Sequence, residues 1–185
     1  MAKLQHKAHT QLGPAAVQIF AANDRMNQHL IEHLDPAAWK SKPPAKSPAN
    51  VRTIAAIFTH MHNVRTKWIR LTAPHLKVPS QLNRAHCTPQ QARAALAESA
   101  ALCAEMLTEA LGGSSGQIDG RIKNFRRDGW APPWPVGPEM LCYMLAHEAH
   151  HRGQVCMLAH QLGFRLPHRV GDGIWNWERL LSRIV

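Results

Sequence analysis

Four long stretches of this chain repeat apolar residues at helical spacing, and proline or glycine closes each of them. The first runs from about Pro14 to His33, with Val17, Phe20, Ala21, Met26 and Leu30 inward, and stops before Asp35-Pro36. The second covers about Val51 to Leu71, with Asn50 as its expected N-cap and Pro74 beyond its end. Ile54, Ile57, Phe58, Met61, Val64 and Trp68 form its apolar stripe. Thr88-Pro89 opens the third, which ends at Leu111 before Gly112-Gly113. The fourth follows Gly137-Pro138 and reaches Leu162, with Gly163 placed to end it. Such a pattern leaves little room for a sheet. Aromatic residues at 6% and few β-branched runs point the same way, to helices packed on helices.

The chain of 185 residues is therefore read as one all-α domain, 1–185, long enough to bury a core of its own. Two features depart from a plain set of helices. A long irregular loop, Ser114 to Gly137, precedes the fourth helix and carries Arg121, Lys123, Arg126, Arg127, Trp130 and Trp134. Loops of this length are uncommon in compact domains and tend to be functional. The apolar tail from Gly173 to Val185 predicts a short C-terminal helix packed back on the others.

No stretch approaches the roughly 20 apolar residues that span a bilayer. Lys3 and Lys7 ahead of Ala15, Ala16 and Val17 imitate an export signal, but Gln18, Asn23 and Asp24 break the run. Cys87, Cys103, Cys142 and Cys156 form no CxxC and no framework spacing, so they read as reduced, mostly buried thiols. The expectation is a cytoplasmic protein with no membrane partner. A net charge of +10 makes an anionic small molecule or a nucleic acid a candidate partner.

Of thirteen histidines, those in the fourth helix carry the most information. At about 100° per residue, His147 and His151 sit about 40° apart, one turn above the other. They lie near the stripe of Met140, Met144, Val155, Leu158 and Leu162, whereas His150 and His160 point away. Two buried imidazoles need partners, and either a metal ion or a hydrogen-bond network supplies them. A metal site calls for a third ligand. The second helix offers His60 and His62, each about 100° from its stripe on opposite sides, and periodicity does not choose between them.

The elements Ile57-Phe58-Thr59-His60-Met61-His62-Asn63-Val64-Arg65 and His147-Glu148-Ala149-His150-His151-Arg152-Gly153-Gln154 are similar to those of the DinB/YfiT-like family. Its members carry one histidine in the second helix and an HxxxH pair, often followed by Arg-Gly-Gln, in the fourth. The resemblance spans nearly the whole chain and implies a four-helix bundle, often a homodimer. Aligning Thr53-Ile54 with the family's Ser/Thr-Ile implies His60, with His147 and His151, as the ligands of one divalent metal ion. Three imidazoles with open positions suit zinc, nickel, iron or manganese. Several relatives are thiol-dependent transferases or isomerases, in which the metal is thought to activate a low-molecular-weight thiol. A metal-dependent S-transferase or isomerase is thus the implied activity, and Arg121, Arg126, Arg127 and Trp130 are candidates to hold an anionic thiol or substrate.

Two other readings compete. His147-Glu148-x-x-His151 spells the zincin motif, in which Glu148 would be the general base of a hydrolase. The chain lacks that class's extended pattern and a strand to hold peptide, and only Glu178 stands in the tail as a further carboxylate. Glu148 also reads as a residue orienting the ligands, or as an i,i+4 partner of Arg152. A basic binding module without catalysis would use Arg52, Arg65, Lys67, Arg70 and the loop cations on phosphates, with Trp130 and Trp134 stacking on bases. No helix-turn-helix, zinc-finger or RNA-recognition signature accompanies them.

Overall fold

The computed structural model describes residues 12–42, 52–112 and 121–182, and it is mostly helical. Four long helices, α1 (Leu12–His33), α2 (Ile54–Thr72), α3 (Pro89–Leu111) and α4 (Pro138–Gln161), are followed by α5 (His168–Trp175) and α6 (Trp177–Ser182). Local chemistry sets their ends. Thr88 Oγ1 accepts from the Gln91 N–H at 3.2 Å while Gln91 Oε1 accepts from the Thr88 N–H at 2.9 Å, a capping box ahead of Pro89. At the end of α4, Gly163 takes φ +85° and its N–H donates to His160 O at 3.0 Å. The Phe164 N–H donates to Ala159 O at 2.9 Å, so two terminal carbonyls are satisfied by a Schellman turn. Helix α2 starts later than its periodicity suggested. Thr53 caps it, its Oγ1 accepting from the Ala56 N–H at 3.1 Å, and Asn50 lies outside the described residues.

Helix α1 packs on α3 and more sparsely on α4, α2 packs on α3 and α4, and both α5 and α6 fold back against α1. The long loop is not wholly irregular. Asn124–Phe125 (β1) pairs antiparallel with Trp134–Pro135 (β2), and β1 rests on α2. This short pair departs from the strand-free expectation. Two residues per strand, one of them a proline, carry no alternation that a sequence pattern reveals.

The apolar core falls into two main clusters. One gathers Phe20, Trp68, Met106, Leu107, Phe125, Met140 and Met144, and the other Leu30, Trp39, Ile54, Phe58, Leu96, Val155 and Leu158. Along every long helix, buried polar residues separate the two sets. They are Asn23, Asp24 and Asn27 on α1, His62, Arg65 and Thr66 on α2, Ser99 on α3, and Glu148 and His151 on α4. A polar layer thus crosses the middle of the protein. Its members must satisfy one another, because an unpaired buried polar group costs about 1–3 kcal/mol.

Candidate functional site

At the level of that polar layer, α2 and α4 bring three histidines together. One ring nitrogen each from His60, His147 and His151 lies within 4.8 Å of the other two. His147 Nε2 stands 3.4 Å from His60 Nε2. Nitrogens bound to one tetrahedral zinc at about 2.0–2.1 Å would lie about 3.3 Å apart, so this pair already has the required spacing. The i,i+4 step that predicted the α4 pair holds in space, with ring centroids 4.5 Å apart for His147 and His151 and 4.7 Å for His60 and His151.

The two candidates on α2 have opposite fates. His62 is fully buried on the other side of the helix, its Nδ1 3.2 Å from Ser99 Oγ and its Nε2 2.9 Å from Ser80 O. Both of its nitrogens have partners, whereas His60 turns toward α4. His150 and His160 are exposed, as the helical wheel predicted.

Gln154 fixes the state of His151. Its Oε1 lies 2.7 Å from His151 Nδ1, and its amide nitrogen lies 2.9 Å from His150 Nε2. Amide oxygen accepts and amide nitrogen donates, so His151 carries its hydrogen on Nδ1 and keeps the Nε2 lone pair free. This is the arrangement by which a neighbouring group orients a metal-ligating imidazole. His147 is flanked by Trp68 and Tyr143, with ring centroids at 5.3 and 6.5 Å, and its buried Nδ1 has no hydrogen-bond partner. Hydrogen bonding among the three rings thus amounts to the single long contact between His60 and His147, which leaves buried nitrogen unsatisfied.

Electrostatics keep the rings uncharged. Burial, aided by His151 and by the charges of Arg52, Arg84 and Lys67, pulls His60 down to about 4. Burial and the other two imidazoles pull His147 to about 4 as well. His151 is lowered chiefly by burial, against the raising effect of Gln154. Three neutral imidazoles converging on one point form a donor set suited to a borderline divalent ion.

Glu148 has another task. Its fully buried carboxylate receives Arg65 Nε on Oε1 at 2.6 Å and Arg65 Nη2 on Oε2 at 2.7 Å. Asn23 Nδ2 and Asn27 Nδ2 each donate to Oε2 at 2.7 Å. Arg65 also donates to Asp24 Oδ1 and Leu96 O, both at 2.8 Å. Burial alone would raise the Glu148 pKa, but Arg65 outweighs it and holds the carboxyl below its usual value. Burial wins at Asp24, whose pKa is raised. A carboxylate that is fully buried and paired with Arg65 is committed to the polar layer, which weighs against the zincin reading. Arg152 does not pair with Glu148 directly; it donates to Asn23 Oδ1 at 2.7 Å and Asn27 Oδ1 at 3.1 Å.

Among the described residues of the basic loop, Phe125, Arg127 and Trp134 reach the Trp68 or Tyr143 ring beside His147. The Arg127 guanidinium stacks over Trp134 at 4.3 Å and lies 5.9 Å from the ring centroid of Tyr143, one turn before His147 on α4. Arg121 and Arg126 are exposed, and Trp130 is 82% exposed. An open cleft of about 990 Å3 runs beside His151, bordered by Arg52, His150, Gln154 and Met157. Arg52, just before α2, was not singled out for this site by sequence reasoning, because nothing along the chain relates it to α4. All four cysteines are free; Cys87 and Cys103 are buried, Cys156 is half-buried and Cys142 is exposed.

Fold and site together define a mostly helical protein in which two helices converge three neutral histidines beside an open cleft. More particularly, the DinB family model matches residues 6–170, most of the chain, and the protein belongs to the DinB family. No curated protein and no solved structure matches it. Among the described residues, no helix is long and apolar enough to cross a membrane.

Proposed function

We propose that this protein is a metal-dependent enzyme built on a four-helix bundle, in which His60, His147 and His151 hold one divalent ion. The observation that carries the reading is the convergence of their ring nitrogens within 4.8 Å. The free Nε2 of His151, set by Gln154, supports it, as does the 3.4 Å between the facing Nε2 atoms of His147 and His60. Three histidines leave a zinc ion one ligand short of tetrahedral closure and an octahedral ion three short, as a catalytic site requires. Zinc, nickel, iron and manganese all suit such a donor set. A divalent cation held there supplies an acidifying centre that lowers the pKa of a thiol or water beside it toward neutrality.

The protein's own residues would then select and orient the reactants. A low-molecular-weight thiol, as the family resemblance implies, would reach the histidines through the cleft beside His151, and the reaction would be S-transfer or isomerisation. Arg52, at the rim, and Arg127, held flat by Trp134, supply positive charge for the carboxylates of an anionic thiol or substrate. The Trp68 and Tyr143 rings pack against His147 and limit water on that side. Arg121, Arg126 and Trp130 are left as outer contacts for a substrate that extends beyond the cleft.

Cobalt substitution tests this proposal. Adding a small thiol to the cobalt protein should shift its visible absorption as sulfur enters the coordination sphere, and the His60→Ala variant should show no such shift. An unchanged spectrum in the parent protein would remove the support for thiol chemistry.

A further inference from the structure

The C-terminal end of α1 carries a second group of ligand-type side chains, remote in sequence from the first. One potential ligand atom from each of His29, Glu32 and His33 lies within 4.8 Å of the others. The i, i+3, i+4 spacing puts all three on one helical face, and the two rings have centroids 4.4 Å apart. None of these residues takes part in the α2–α4 histidine site.

Hydrogen bonding leaves both rings ready to ligate. His33 Nδ1 is 2.8 Å from His29 O, and His29 Nε2 is 3.2 Å from Val170 O. A backbone carbonyl can only accept, so each of these nitrogens carries the hydrogen of a neutral ring. The lone pairs are therefore on His29 Nδ1 and His33 Nε2. A carbonyl behind the far nitrogen is the usual support of a metal-binding imidazole, and here each ring has one. Glu32 pairs with Arg93 through Oε1, which leaves Oε2 for a second partner. Burial, with His33 and Arg179 nearby, lowers the His29 pKa and favours the neutral ring.

The His29 ring is also fixed in place by α5. A Cβ on Gly173 would lie 2.4 Å from His29 Nε2, so glycine at this position is what lets the ring reach Val170 O. We propose that His29, Glu32 and His33 form a second divalent-metal site, independent of the first, that takes a borderline ion such as zinc with two imidazoles and one carboxylate. The site is largely exposed and Glu32 is shared with Arg93, so it binds more weakly than three converging histidines. An ion on Nδ1 also makes the far N–H of His29 a stronger donor to Val170 O, so binding tightens α5 against α1.

Calorimetric titration of the untagged protein with zinc alone tests the proposal. Two binding events are expected. His33→Ala, at an exposed position, should remove the weaker event and leave the tighter one, and His147→Ala should do the reverse. In the His147→Ala protein, zinc at about 100 times the dissociation constant should still raise the melting temperature, and His29→Gln added to it should abolish the rise. An isotherm unchanged by His33→Ala would overturn the second site. So would a single event that depends on His147, while leaving the first site standing. A single event that depends on His33 and survives His147→Ala would support the second site and refute the first.

Discussion

Replacing Glu148 by glutamine separates a structural role for this residue from a catalytic one. The substitution keeps size and an acceptor oxygen but removes the charge that balances Arg65 in the middle of the protein. Arg65 is fully buried, and its remaining anion, Asp24, is itself disfavoured as a charge by burial. Breaking a buried ion pair from one side costs about 3–5 kcal/mol, and the retained amide oxygen puts this case near 3 kcal/mol. That is a large part of the about 5–15 kcal/mol that stabilises a typical domain. With a urea m-value of about 1–3 kcal/mol per M, the midpoint should fall by about 1–3 M. Zinc stoichiometry at the three histidines, measured on the folded variant at low urea, should be unchanged. A midpoint within about 0.2 M of the parent, with loss of turnover alone, would refute the structural role and restore Glu148 as a base.

Further perturbations have defined outcomes. His62→Ala should keep zinc at the first site yet lose about 1–3 kcal/mol in denaturant unfolding, because Ser99 and Ser80 lose a buried partner. His60→Ala should lose zinc at that site, and the opposite pattern would exchange the two assignments. The metal-free protein should lose stability as pH falls from about 6.5 to about 4. His60 and His147 stay neutral when folded down to about 4, while the unfolded chain protonates them near 6.5, so the unfolded state binds more protons across that window. Melting temperatures recorded across it check the sign, and a shallower loss in the His60→Ala, His147→Ala double variant would attribute the difference to these two rings, because His29, His62 and His151, also lowered, remain. Arg127→Ala should weaken binding of an anionic thiol more than that of a neutral one, and equal weakening would exclude the charge as the cause.

What the sequence revealed depended on whether the partner lay on the same helix. His147 and His151 share a face of α4, so their spacing alone put them together, and the Thr88-Pro89 cap was equally local. The differing surroundings of His60 and His62 depend on Ser80 and Ser99, which partner His62 from outside α2 and leave no mark on its periodicity. For the same reason Glu148 looked like a partner of Arg152, one turn away, when its partner is Arg65, 83 residues distant. The polar layer is hidden along the chain because each helix contributes only one to three of its members. Arg127 was picked out with its loop, but its seat on Trp134 depends on the β1–β2 pair, too short to show alternation.

The most direct measurement of the central claim is anomalous diffraction at the zinc edge from crystals grown with zinc. The expected result is a peak about 2.0–2.1 Å from a ring nitrogen of each of His60, His147 and His151, with the His151 contact through Nε2 and its Nδ1 still bonded to Gln154. A peak at His62 instead, or none among the three rings at saturating zinc, would contradict it.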